Sequence, residues 1–249
     1  MYSSATVYLP PQIFRQHDDA DYFPSAVRDI GRIIDEVGIS PTHKVLDVGC
    51  AAGRLANPLI ELLDPAQGGA YLGIDVKPGA IQWAQENITQ RHPHIRFQHL
   101  DARSGVVNPT GTIEQSEVRF PASDSEVDLI TLSSVFTHMI TDGIRRYVSE
   151  AGRCLRPGGA LYFTAFLFDL EVWKACKERK PAWNFAHRHG DVMVHDPKRP
   201  EYVAAIFEEF IYRTTSENGL TLHSLYKGTW REGGPGGQDL LFFKKLPAS

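Results

Sequence analysis

Cysteine is scarce in this chain: Cys50, Cys154 and Cys176 are the only three in 249 residues, and no two of them form a Cys-x-x-Cys pair. So odd and sparse a set excludes a disulfide framework and a cysteine zinc site, and it fits a reducing, cytoplasmic compartment. Long apolar runs are missing as well. No stretch approaches the roughly 18 residues that a transmembrane helix needs, so no membrane span is expected. The opening residues lack a basic-then-apolar leader pattern. There is no basic excess either, since 26 Lys and Arg stand against 30 Asp and Glu for a formal net charge of −4. Without a positive field, no nucleic-acid partner is expected.

Internal repeats and low-complexity segments are also absent. Short apolar runs alternate instead with helix-like runs, which points to an α/β fold with a mostly parallel sheet and helices on both faces. Helices are expected at 24–38, 54–63, 78–92, 143–155 and 202–218, and strands at 44–48, 70–76, 95–100, 127–132 and 160–166. Two further strands, 220–227 and 240–245, have no helix between them and should pair antiparallel. The sum is a seven-stranded sheet with an antiparallel C-terminal strand. Two stretches, 103–123 and 167–202, break the rhythm and are long for plain connections. They are read as insertions into a single domain spanning 1–249, and the second, holding Trp173, Trp183, Phe185, His187, His189 and His195, as an aromatic lid over an acceptor pocket.

The first strand runs into Asp47-Val48-Gly49-Cys50-Ala51-Ala52-Gly53 and then a helix. Glycine permits positive φ and close approach of a ligand, and a helix start supplies free N–H groups. That much suits any nucleotide. The Gly-x-Gly-x-x-Gly dinucleotide fingerprint is absent, however. Asp47 would repel a pyrophosphate but can attract the ammonium of a methionine moiety. Asp75 ends the second strand, where a carboxylate can take both ribose hydroxyls, and Asp101 ends the third, within reach of an adenine amino group. Together these features favour S-adenosyl-L-methionine as cofactor.

Val45-Leu46-Asp47-Val48-Gly49-Cys50-Ala51-Ala52-Gly53-Arg54 resembles motif I of the class I S-adenosylmethionine-dependent methyltransferases. Gly73-Ile74-Asp75-Val76 resembles their acidic second motif, and Leu155-Arg156-Pro157-Gly158-Gly159 the turn before their fifth strand. The resemblance runs from about Val27 to Lys245. It departs at Ala51, where the family has the middle glycine of Gly-x-Gly-x-Gly. The resemblance implies a seven-stranded sheet with a reversed last strand. It also implies that Asp47, Gly49, Ala51 and Gly53 line the methionine end, that Asp75 holds the ribose, that Val76 packs on the adenine, and that Asp101 and Ala102 sit at the adenine edge. Cys50, Ser133 and Phe136 complete the expected cofactor lining, with Phe136 as a wall of the methyl site.

A hydroxyl acceptor must lose a proton, and His138, in Ser133-Ser134-Val135-Phe136-Thr137-His138-Met139, is the candidate base. The alternative is that it bonds a loop carbonyl. No zinc-like spacing is completed around His187, His189 and Asp191, so no metal is expected. Trp230, Gln238 and Asp239 either touch the acceptor or close the hairpin, whose turn, Gly233-Gly234-Pro235-Gly236-Gly237, reads as a flap. The Lys174, Lys177, Arg179, Lys180 cluster, diluted by Glu171 and Glu178, reads as a solvated helix face. No Asn/Asp-Pro-Pro-Tyr motif and no Pro-Cys nucleophile is present, which argues against methylation of DNA bases. The expected function is methyl transfer to a small molecule, on a hydroxyl of a natural product, sugar or lipid-linked glycan. N-methylation of an amine or macromolecule and a non-catalytic binding module are the alternatives. Homodimerisation stays open.

Overall fold

Strand β1 (Lys44–Val48) occupies the middle of the sheet, and four of its five residues are buried, as a continuous apolar run covered on both faces should be. The computed structural model describes residues 7–178, 183–233 and 237–247. β1 pairs in parallel with β2 (Ala70–Asp75) on one side and β4 (Val127–Leu132) on the other. β3 (Ile95–His99) extends the sheet beyond β2, and β5 (Leu155–Phe168) lies beyond β4, again in parallel. Parallel order demands a crossover between successive strands. The chain supplies α2 (Ala56–Leu62) between β1 and β2, α3 (Pro78–Ala84) between β2 and β3, and α4 (Thr141–Cys154) between β4 and β5. α1 (Asp19–Val37) precedes β1; the Asp18 carboxylate accepts from Asp21 N at its start, and Gly38, at φ +75°, ends it.

Two cores result. One face packs Ile30 and Ile33 of α1 against Leu59, Tyr71, Tyr162 and Phe242. The other packs Ile144, Val148 and Ala151 of α4 against Ile130, Leu161 and Phe243.

The mostly parallel α/β sheet with its antiparallel C-terminal strands is as expected. β10 (Asp239–Lys245) runs antiparallel to β5 and to β9 (Leu220–Tyr226). The sheet is larger than the seven strands counted from the sequence, with ten strands among the described residues. The extra three are β6 (His187–His189), β7 (Val192–Val194) and β8 (Ala204–Phe207). β5 is long enough to serve both groups, because Ala160–Ala165 pair with β10 while Phe166–Phe168 pair with β8.

The helix expected over 202–218 is therefore two elements, β8 followed by α6 (Glu208–Glu217). Val203-Ala204-Ala205-Ile206 fits either state, and only the free edge at the end of β5 selects the strand. The helix expected over 78–92 narrows to α3, continued by a π-turn over Gln85–Thr89. α1 begins five residues before the expected start, because Pro24 is accommodated inside the helix. In the 167–202 stretch, α5 (Leu170–Lys177), β6 and β7 form regular structure. No helix among the described residues is long and apolar enough to cross a membrane.

Candidate functional site

A cavity of about 150 Å³ opens at the C-terminal ends of β1, β2 and β4, the edge where open α/β sheets bind ligands. The loop after β1 shapes its rim. Gly49, Ala51 and Gly53 all have left-handed backbones, with φ of +77°, +47° and +85°. A side chain at Gly49 would put Cβ 2.5 Å from Val135 Cγ2, so the turn requires glycine there on two counts. Ala51 adopts the left-handed form despite its Cβ, at a cost of roughly 1–2 kcal/mol. Asp75 braces the loop, its Oδ2 accepting from Ala51 N and its Oδ1 from Lys77 N, both at 2.8 Å. Burial pushes this carboxyl above its ordinary range. Each oxygen has one protein donor and keeps a lone pair for a ligand.

The expected site residues divide into two groups. Gly49, Ala51, Asp75, Val76, Ala102, Ser133 and His138 line this cavity together. Asp47 stands behind the loop with both oxygens on hydroxyls, Tyr71 OH and Thr131 Oγ1, each at 2.7 Å. Burial raises its carboxyl too. Its first partners belong to the protein, and it ties β1 to β2 and β4. The Cys50 thiol is wedged under Gly73, where a Cβ would come within 2.7 Å of Sγ. Gly53 is backed by Phe97 and Ile88. Phe136 is fully buried, edge-on to Phe163 at 5.0 Å, and belongs to the core rather than the cavity lining. Asp101 accepts from Thr112 Oγ1 at 2.7 Å and Asn108 Nδ2 at 3.1 Å, which hold its carboxyl below the usual range. It closes the 103–123 excursion on itself, while its neighbours Leu100 and Ala102 face the cavity.

His138 Nδ1–H donates to Tyr202 O at 2.8 Å, which fixes the ring and leaves Nε2 as the acceptor nitrogen. Sequence reasoning missed Gln16, Lys77, Ser104, Gln115, Ser134, Met139 and Tyr147, which share the lining. Ser134, Lys77 and Met139 carried a signal, their adjacency to Ser133, Val76 and His138; Gln16, Ser104, Gln115 and Tyr147 come from the N-terminal arm, an insertion or a helix face, and only folding brings them in.

A second, wider groove of about 620 Å³ joins the first at Gly49, Ala51, Ser133 and Ser134. It runs between α1 and the β5–β10 face, past Asp29, Arg32, Tyr162 and Thr164. Of the three hairpin residues, Gln238 lines this groove. Asp239 is fully buried on Arg231 at 3.0 Å, and Trp230 packs on Phe166. Gly234, Pro235 and Gly236 of the expected flap, and Arg179 and Lys180 of the basic cluster, lie outside the described residues. His187 and His189 are exposed on β6, and Asp191 pairs with Arg145 at 3.3 Å.

Residues 45–159 match the profile of a family described as a methyltransferase domain. The chain is 23% identical over 152 residues to the ubiquinone/menaquinone biosynthesis C-methyltransferase UbiE of Cupriavidus taiwanensis, covering 61% of this chain and 54% of that protein. It is 23% identical over 170 residues to the arsenite methyltransferase of Aquipseudomonas alcaligenes, covering 68% and 44%. A tRNA N(3)-cytidine methyltransferase of Mus musculus, METTL2, is 23% identical over 159 residues, covering 64% and 38%. The chain thus spans about half the length, or less, of these curated relatives. Among solved structures, the Burkholderia thailandensis 1,6-didemethyltoxoflavin-N1-methyltransferase, with 1,6-didemethyltoxoflavin and S-adenosylhomocysteine bound, superposes with a TM-score of 0.57 at 16% identity, covering 92% of this chain and 80% of that one. At that identity the likeness speaks for the fold. Residues 45–159 thus match a methyltransferase domain, and the glycine loop and Asp75 lie within the matched span.

Proposed function

We propose that this chain transfers the methyl group of S-adenosylmethionine to a small-molecule acceptor, with a hydroxyl as the accepting group. The observation that carries the cofactor side is Asp75, a buried carboxylate held by two backbone N–H groups at the cavity rim with a lone pair free on each oxygen. A ribose diol supplies the two donors that complete it. Val76, Leu100, Ala102 and Met139 offer an apolar slot for the purine. When bound, S-adenosylmethionine supplies an electrophilic methyl group. The chain's part is to align an acceptor with it, exclude water and accept the proton. His138 is the proposed base, because Tyr202 O occupies Nδ1 and leaves Nε2 to receive a proton.

Calorimetry with S-adenosylmethionine, S-adenosylhomocysteine and NAD tests the cofactor reading. Binding of the first two is expected, and binding of NAD alone overturns it. His138→Gln tests the base. A fall in turnover of at least about tenfold, with S-adenosylhomocysteine affinity retained, is expected for a general base. O-methyl product forming at an unchanged rate removes His138 from that role.

A further inference from the structure

The methyl acceptor has no assigned class, and the wide groove beside the cofactor cavity constrains it. Aromatic side chains line the groove, Phe14 of the N-terminal arm, Tyr22 of α1, and Tyr162 and Phe166 of β5. Flat rings are what such a lining accommodates at least cost. Its walls carry Arg15, Arg32, Arg54 and Lys77 against Asp29 and Asp47. Two of these charges are already offset: Arg54 pairs with Asp29 at 2.7 Å and Arg15 with Asp19. Asp47 is sealed on two hydroxyls. Arg32 is exposed with its guanidinium 5.8 Å from the Tyr226 ring, and no carboxylate pairs with it among the described residues. The balance is positive in a chain whose overall charge is negative, so the excess is local.

At the junction of groove and cavity stands Ser134. Its backbone is left-handed, at φ +60°, an uncommon state for a residue with a Cβ and one concentrated at functional positions. A closed ring of hydrogen bonds holds it there. Ser134 N donates to Thr164 Oγ1 at 2.8 Å, Thr164 Oγ1 to Gln238 Oε1 at 2.6 Å, and Gln238 Nε2 to Ser134 Oγ at 2.6 Å. Ser134 Oγ accepts from Gln238 and stands 3.5 Å from Thr137 Oγ1, a weak contact that an acceptor atom of a ligand at the junction can replace.

We infer that the acceptor is a flat, ring-bearing molecule with a carboxylate or similar anion, seated in the groove between α1 and the β5–β10 face with its accepting group at Ser134. This rests on the methyltransferase reading above and adds the acceptor's chemistry to it. The ring lies on Tyr162 and Phe166, and the anion points toward Arg32 and Arg54. Ser133 and Ser134 line both the groove and the cavity that His138 lines, so an accepting group at this junction stands at the opening toward His138.

The test uses the intact chain saturated with S-adenosylhomocysteine and titrated with 6-hydroxy-2-naphthoate and its neutral amide. The carboxylate is expected to bind saturably and about tenfold more tightly than the amide, the scale of one charge-assisted hydrogen bond. Arg32→Gln and Arg54→Gln should remove most of that preference while leaving amide binding unchanged, and Ser134→Ala should weaken both probes alike. Equal affinity for the two probes, or no binding of the carboxylate to the loaded chain, overturns the inference. So does a loss of S-adenosylhomocysteine affinity in Arg54→Gln with 5′-methylthioadenosine affinity intact, because the anion seated there is then the cofactor's own methionine carboxylate. Failure of the unmodified chain to bind S-adenosylhomocysteine at all is a separate result, which overturns the methyltransferase reading itself.

Discussion

Asp75 and Asp239 stand in the two halves of one sheet, both removed from solvent, and their surroundings differ. Asp75, at the end of β2, meets only two neutral backbone donors and borders a cavity. Asp239, at the start of β10, accepts from Leu167 N and Gly228 N at 2.8 Å and from two nitrogens of Arg231, at 3.0 and 3.2 Å, with no exposure left. A carboxylate whose lone pairs are all met by protein is a structural fastener. One left half-met at a cavity has binding capacity in reserve, at the expense of stability. The glycine-loop half of the sheet is thus built to be completed by a ligand, and the hairpin half is complete already.

Asp239→Ala should give the largest effect on stability, because it leaves the buried Arg231 with Asp169 as its one remaining carboxylate partner among the described residues. A loss of about 3–5 kcal/mol in urea unfolding is expected. A loss below about 1 kcal/mol would mean the hairpin half is no more tightly fastened than the rest. Asp75→Ala should do the opposite, weakening S-adenosylmethionine binding by about 1.5–3 kcal/mol in calorimetry with a smaller change in unfolding. If the two variants moved the same observable, the contrast between the halves would be lost.

Gly49→Ala adds a Cβ at φ +77° and against Val135, so a loss of about 1–2 kcal/mol in stability is expected, with weaker cofactor binding from the displaced loop. The pH dependence sharpens the comparison further. Burial raises the Asp75 carboxyl, so its folded form favours the proton, and its contribution to stability declines as pH rises from the ordinary carboxylate value through the folded one. Glu150 of α4 has the reverse sign. Burial pushes it up, but the Arg153 guanidinium at 2.6 Å and Phe120 N at 2.8 Å outweigh that and hold it low. Its contribution is therefore full above the ordinary carboxylate range and is lost as pH falls through its depressed value. Glu150→Gln should flatten the acid limb of a stability–pH curve, and Asp75→Asn should flatten the decline above it. Asp101→Ala should have the smallest effect on binding, within about 0.5 kcal/mol, because its carboxylate serves Thr112 and Asn108. A loss as large as that of Asp75→Ala would return Asp101 to the cofactor.

The sequence by itself determined the strands and turns of the N-terminal half. β1 and β4 fall where their apolar runs lie between turn residues, and the Gly49–Gly53 loop and Asp75 are legible because a positive φ and a strand-end carboxylate are local properties. It left open what each of three strand-end aspartates would meet. Asp47, Asp75 and Asp101 look alike in the chain, and their partners, Tyr71 and Thr131, Ala51 and Lys77, Thr112 and Asn108, are distributed by packing. Only the tertiary structure decided that Ala204–Phe207 is a strand, since a run that fits either state takes the one its neighbour's free edge can pair with. It also decided the groove, whose walls come from the N-terminal arm, α1, β5 and β10, segments with no local reason to meet.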